Sequence, residues 1–130
     1  MSAAKPSLML TLPIRLVSEA NARDKWGRIK RAKEQRRVVA LKLNTVGRRT
    51  LKPPLALRIT RIAPRRLDDD NLARSAKAVR DQLCDWLGYD DGDERLSFAY
   101  AQCKGQPKEY AVRIEVYEQA VARTVIERVA

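Results

Sequence analysis

The sequence predicts a single α+β domain, with helices packed on a small mixed β-sheet in the element order β-α-β-α-β-β-α. Three observations lead there. A chain of 130 residues, 45% of them apolar, has the commonest domain size and enough hydrophobic material for one buried core. Two stretches place apolar residues at helical spacing and end in glycine, whereas four others are short, apolar and β-prone. Neither an internal repeat nor a low-complexity linker divides the chain, so residues 1–130 are taken as one domain.

Residues 8–17 (LMLTLPIRLV) predict a first strand, interrupted near Pro13 as an edge strand or a bulge permits. The polar run 18–28 predicts a loop, and a helix follows from Ile29 to Val46. Ile29, Ala32, Val39, Leu43 and Val46 recur at helical spacing in it, and Gly47 is a natural stop. After the basic loop RRTLKPP comes a second strand, Leu55 to Ile62, in which Leu55, Leu57 and Ile59 share a face. Pro64 ends that strand. A second helix begins at Asn71, with Leu72, Ala76, Val79, Leu83 and Trp86 at alternating steps of four and three and Gly88 at its end. Residues 95–104 and 109–117 alternate as strands, and Gly105-Gln106-Pro107 between them predicts a hairpin. An amphipathic helix over 118–128 closes the order.

Charge is the outlying property. Lys and Arg number 27 against 16 Asp and Glu, giving +11 with no histidine. Such a surplus on a small domain answers a polyanion and supplies the phosphate-binding term for DNA or RNA. A membrane surface fits less well, because no segment joins a strongly apolar face to a purely basic one. No stretch has signal-peptide form or transmembrane length, which places the protein in the cytoplasm, at the nucleoid when bound to DNA. Cys84 and Cys103 match no zinc spacing, so buried free thiols are expected.

Against this basic background stand two acidic clusters, Asp68-Asp69-Asp70 and Asp90-Asp91-Gly92-Asp93-Glu94. Adjacent carboxylates repel, by about 4 kcal/mol at 4 Å and an effective dielectric of 20. If the chain is still extended at 68–70, Asp68 and Asp70 project to one side and Asp69 to the other, so the first two can grip a divalent cation. Such oxygen donors suit Mg²⁺ or Mn²⁺. The bland alternative makes Asp69 or Asp70 a helix N-cap and Asp-Asp-Gly-Asp an ordinary turn. Arg65, Arg66, Arg74 and Lys77 beside the first cluster favour a metal spot within a phosphate-binding surface, since a pure binding module gains little from carboxylates that repel the backbone it must hold.

The stretch Arg66-Leu67-Asp68-Asp69-Asp70-Asn71-Leu72, then Lys77, Asp81-Gln82-Leu83 and Gly88-Tyr89-Asp90-Asp91, resembles the RusA-type Holliday junction resolvases of bacteria and their prophages. The resemblance covers about residues 64–98. It implies a Mg²⁺-dependent homodimeric endonuclease that nicks two strands symmetrically across a four-way DNA junction, in recombination and repair. By the resemblance the metal ligands are Asp68, Asp70 and Asp91, with Asn71 the motif asparagine. The family's catalytic lysine falls on Arg74 by counting from Asp70 and on Lys77 by matching the later segment; a compact ammonium favours Lys77. Metal-assisted hydrolysis would follow, with that cation stabilising the charge of the transition state. Lys30, Arg31, Lys33, Arg36, Arg37, Arg48, Arg49, Arg65 and Arg66 are the candidates for holding DNA arms. Three further readings remain: a non-catalytic basic DNA- or RNA-binding protein, a structural or assembly protein of a phage with an acidic partner, and a degenerate relative that keeps the fold and has lost the activity.

Overall fold

In the computed structural model, residues 5–19, 24–47 and 50–118 are described. Alternation builds the first strand. In β1 (Leu8–Leu12), Leu8, Leu10 and Leu12 point into the core while Met9 is 59% exposed. The strand is shorter than predicted. Beyond Pro13 the chain leaves the ladder yet stays in the core through Ile14 and Leu16.

Helix α1 (Lys25–Val46) starts four residues before the expected Ile29, because Asp24 caps it: its carboxylate accepts a hydrogen bond from the Gly27 N–H at 3.0 Å. The inward stripe is Gln35, Val39 and Leu43, whereas Ile29 is 48% exposed and takes no part in the core. Gly47 ends the helix at φ +83°, a conformation open to glycine. Strand β2 (Leu55–Ala63) then buries Leu55, Leu57 and Ile59 as expected.

One long helix was expected from Asn71; two shorter ones form, α2 (Asp69–Ser75) and α3 (Lys77–Leu87). The break at Ala76 (φ −92°, ψ 0°) has a local cause. The Ser75 hydroxyl donates to the Leu72 carbonyl at 2.7 Å, and the Ala76 N–H is shared between the Leu72 and Ala73 carbonyls, both at 3.3 Å. Side-chain competition of this kind bends helices. Gly88, at φ +85°, closes α3 as predicted.

Strands β3 (Leu96–Lys104) and β4 (Ala111–Glu118) appear where expected, but they form no hairpin. The sheet order is β1-β4-β2-β3, so β2 lies between them. The α2–α3 crossover lays β3 parallel to β2, with Leu55 opposite Leu96 and Ala63 opposite Lys104. The chain then passes over the end of β2, where the Gly105 N–H donates to the Ala63 carbonyl at 2.9 Å. By moving across, β4 pairs antiparallel with both β2 and β1 and sets Val112, Ile114 and Val116 at full burial. Turn residues and alternation are the same for a hairpin and for this split arrangement, so the local signal does not separate them.

Val39 and Leu43 of α1 and Val79, Leu83 and Cys84 of α3 close over the face made by Leu10, Leu57, Ile59, Ile114 and Val116. This is the α+β domain expected, with a mixed sheet. Glu118, where a closing helix over 118–128 was expected to start, is the last residue of β4, and residues 119–128 lie outside the described residues. Among those described, no helix is long and apolar enough to cross a membrane.

Candidate metal and nucleic-acid site

The turn carrying Asp68 to Asp70 is anchored before it begins. Gln102 on β3 uses its side-chain amide as a ladder rung: Nε2 donates to the Leu67 carbonyl at 2.7 Å and Oε1 accepts from the Leu67 N–H at 2.8 Å. Arg61 on β2, only 7% exposed, donates from Nε to the Leu16 carbonyl at 3.0 Å and from Nη1 to the Arg65 carbonyl at 2.5 Å. Burial lowers the Arg61 guanidinium pKa; Tyr110 works against that, and the charge of Arg15 adds to it.

Only Asp68 is extended (φ −61°, ψ 151°); Asp69 and Asp70 already belong to the first turn of α2. The expected strand-like alternation of Asp68 and Asp70 is therefore replaced by an N-cap residue followed by a helical turn. The cap falls on Asp68 rather than Asp69 or Asp70, yet its carboxylate makes no capping bond. The carboxylates of Asp68 and Asp70 are exposed and have no hydrogen-bond or ion-pair partner among the described residues, while the Asp68 carbonyl accepts from the Leu72 N–H at 2.8 Å. Asp69 lies 3.9 Å from Arg66, both side chains in solvent. The residues just before this turn, Arg65 and Arg66, line with Arg61, Gln102 and Lys104 a basic cavity of about 390 Å³, whose lining does not include the carboxylates.

The break at Ala76 separates the two candidate cations. Arg74 stays on α2, four residues from Asp70 and so on the same helix face, and it has no partner among the described residues. Lys77 begins α3 and is held by Asp81 at 3.1 Å. Asn71 follows Asp70, half-buried.

Asp91 is not brought to this turn. It stands between α3 and β3, in a different cavity of about 540 Å³ lined by Arg36, Lys77, Asp81, Cys84, Asp85, Tyr89 and Asp90. The Arg80 guanidinium donates to it at 3.3 Å, donates to the Tyr100 hydroxyl at 3.0 Å, and stacks 5.1 Å from the Phe98 ring centre. Topology explains the separation. Asp68 and Asp70 follow the Ala63 end of β2, Asp91 precedes the Leu96 end of β3, and β2 and β3 are parallel. Those ends are about 26 Å apart at about 3.3 Å per residue. No three Asp, Glu, Cys or His side chains that could hold a metal gather among the described residues.

The basic candidates divide by what already engages them. Lys30 and Lys33 are exposed without a partner among the described residues. Arg31 is bidentate on Glu19, Arg37 is bidentate on Glu34, and Arg36 reaches Asp81 at 3.2 Å. Arg65 and Arg66 line the basic pocket, while Arg48 and Arg49 lie outside the described residues. Sequence reading passed over Arg61, Gln102 and Lys104; a cation and an amide inside β-prone runs were the available signal. The thiols also divide. Both are free, Cys84 buried with its pKa pushed up to about 11 by burial, but Cys103 is exposed rather than buried.

No protein-family model matches this chain, and no curated protein matches it. The functional reading rests on the residues above and on the resemblance carried by residues 64–98.

Proposed function

We propose that this protein is a Mg²⁺-dependent, structure-selective DNA endonuclease that resolves four-way junctions by paired symmetric nicks, acting as a homodimer. The observation that supports it most is that the chain runs from a basic pocket lined by Arg61, Arg65, Arg66 and Lys104 directly into two exposed carboxylates without partners among the described residues, Asp68 and Asp70. Exposed carboxylates repel a phosphate backbone, so their place two to five residues after a phosphate-binding pair of arginines is favourable only if a cation sits between them and the backbone.

One chain does not offer the three-carboxylate set that the resemblance implies, because Asp91 is at the other end of the sheet. Asp68 and Asp70 are the two donors available to Mg²⁺ in one chain, and water, the phosphate itself or a second copy across a two-fold axis would complete its shell. When bound, the metal would polarise a scissile phosphate and activate water. The chain's own part is to hold the strand on Arg65, Arg66 and Lys104, to fix the turn through Gln102, and to set Arg74 beside the reacting phosphate. Arg74 is preferred to Lys77 because Asp81 already holds Lys77.

A second reading is a non-catalytic basic DNA- or RNA-binding protein, possible for a prophage-derived chain. The engagement of Asp91 by Arg80 favours it. A synthetic four-way junction with and without Mg²⁺ separates the two. Asp70→Asn is expected to abolish Mg²⁺-dependent nicking while leaving junction binding intact. Parent protein that binds but never nicks, with Asp70→Asn indistinguishable from it, supports the binding module instead.

A further inference from the structure

A smaller cleft, of about 320 Å³, opens between α1 and the α2–α3 pair. Two buried polar side chains face it. The Ser75 hydroxyl is satisfied by the Leu72 carbonyl. Gln35 is 8% exposed, its amide has no hydrogen-bond partner among the described residues, and neither amide atom is sealed from solvent, so the group is open to the cleft.

The charges of the cleft are arranged to the same end. Its carboxylates are already engaged, Glu19 by Arg31 at 2.6 Å and Asp81 by Arg36 and Lys77 at 3.2 and 3.1 Å. Arg28 on α1 and Arg74 on α2 have no side-chain partner among the described residues, which leaves one uncommitted guanidinium on each wall. Between them Ala32 and Ala78 contribute little bulk. A volume at the small end for ligand sites suits one planar group and excludes a duplex. Guanidiniums match phosphate oxygens, and a glutamine amide offers a donor and an acceptor in the spacing of a base edge.

We propose that this cleft takes one unstacked nucleotide of a nucleic-acid strand, its phosphate between Arg28 and Arg74 and its base edge on the Gln35 amide. Base edges become available in this way only where a strand is unpaired or splayed. The inference deepens the nucleic-acid reading above but does not depend on its metal chemistry.

Fluorescence anisotropy in EDTA tests it, with a labelled single strand of about 12 nucleotides and the duplex of the same sequence. The parent is expected to bind the single strand more tightly than the duplex. Gln35→Leu and Arg28→Ala should each weaken single-strand binding by about fivefold to tenfold and leave duplex binding unchanged. Equal parent affinity for both forms overturns the proposal, as does parental single-strand binding by both variants. If Gln35→Leu fails to fold, Arg28→Ala decides, since that side chain is exposed. Displacement of the strand by an equal concentration of free mononucleotide would assign the cleft to a soluble nucleotide and overturn the strand assignment. Absence of Mg²⁺-dependent nicking, with single-strand preference and its Gln35 dependence retained, removes the nuclease and keeps the cleft.

Discussion

Glu115 on β4 is 5% exposed, and its carboxylate accepts from Arg58 Nε and Nη2 at 2.9 and 2.7 Å and from the Tyr117 hydroxyl at 2.5 Å. Burial alone would raise its pKa. The hydrogen bonds from Arg58 and Tyr117, with the charges of Arg58 and Arg113, more than offset this and hold it below the ordinary 4.5. A folded-state pKa below the unfolded one gives stability that is present above the unfolded value and lost as pH falls through the folded one. Thermal melts should therefore be level at neutral pH and fall below about pH 4.5, with a shallower acid limb in Glu115→Gln. Superimposable limbs would remove Glu115 from the account. Gln102 is argued at the same scale, through its two bonds to Leu67. Gln102→Leu is expected to lower kcat for junction nicking at least tenfold with KM unchanged, because a loosened acid turn misplaces its carboxylates. Loss confined to KM would make Gln102 a DNA contact rather than a positioning residue.

At the scale of elements, the end of α3 carries the clearest signal. Gly88 occupies the left-handed region (φ 85°, ψ 22°), and its N–H reaches the Cys84 and Asp85 carbonyls at 2.9 and 3.2 Å. Gly88→Ala should cost about 1 kcal/mol and lower Tm by roughly 4 °C, read by circular dichroism. The elements themselves were largely legible: the glycine stops at Gly47 and Gly88 and the alternation of Leu55, Leu57 and Ile59 each fall where periodicity puts them. What was not legible depends on competition for the same backbone groups. The Ser75 hydroxyl splits a helix whose apolar spacing runs unbroken through Ala76, and Asp24 starts α1 within a segment whose polarity resembles a loop.

For the whole molecule, +11 of net charge makes nucleic-acid affinity a function of salt. If six to ten phosphates are neutralised, junction affinity should fall by about 10³ to 10⁵ between 50 and 200 mM salt, linearly on logarithmic axes. A flat response in a filter-binding or anisotropy titration contradicts a phosphate-dominated interface. The sequence alone determined the class of the domain, its basic character and the presence of two acidic clusters, because composition and short-range spacing are written locally. It also placed Asp68 and Asp70 beside Arg65 and Arg66, which needs only neighbours in the chain. Only the tertiary structure decided strand pairing, and with it the rest of the site. Parallel pairing of β2 with β3 sends Asp91 to the far end of the sheet, and the same pairing brings Gln102 under Leu67. Such juxtapositions join residues more than thirty positions apart through hydrogen bonds that no local pattern encodes, which is why the carboxylates were found in the sequence and their support was not.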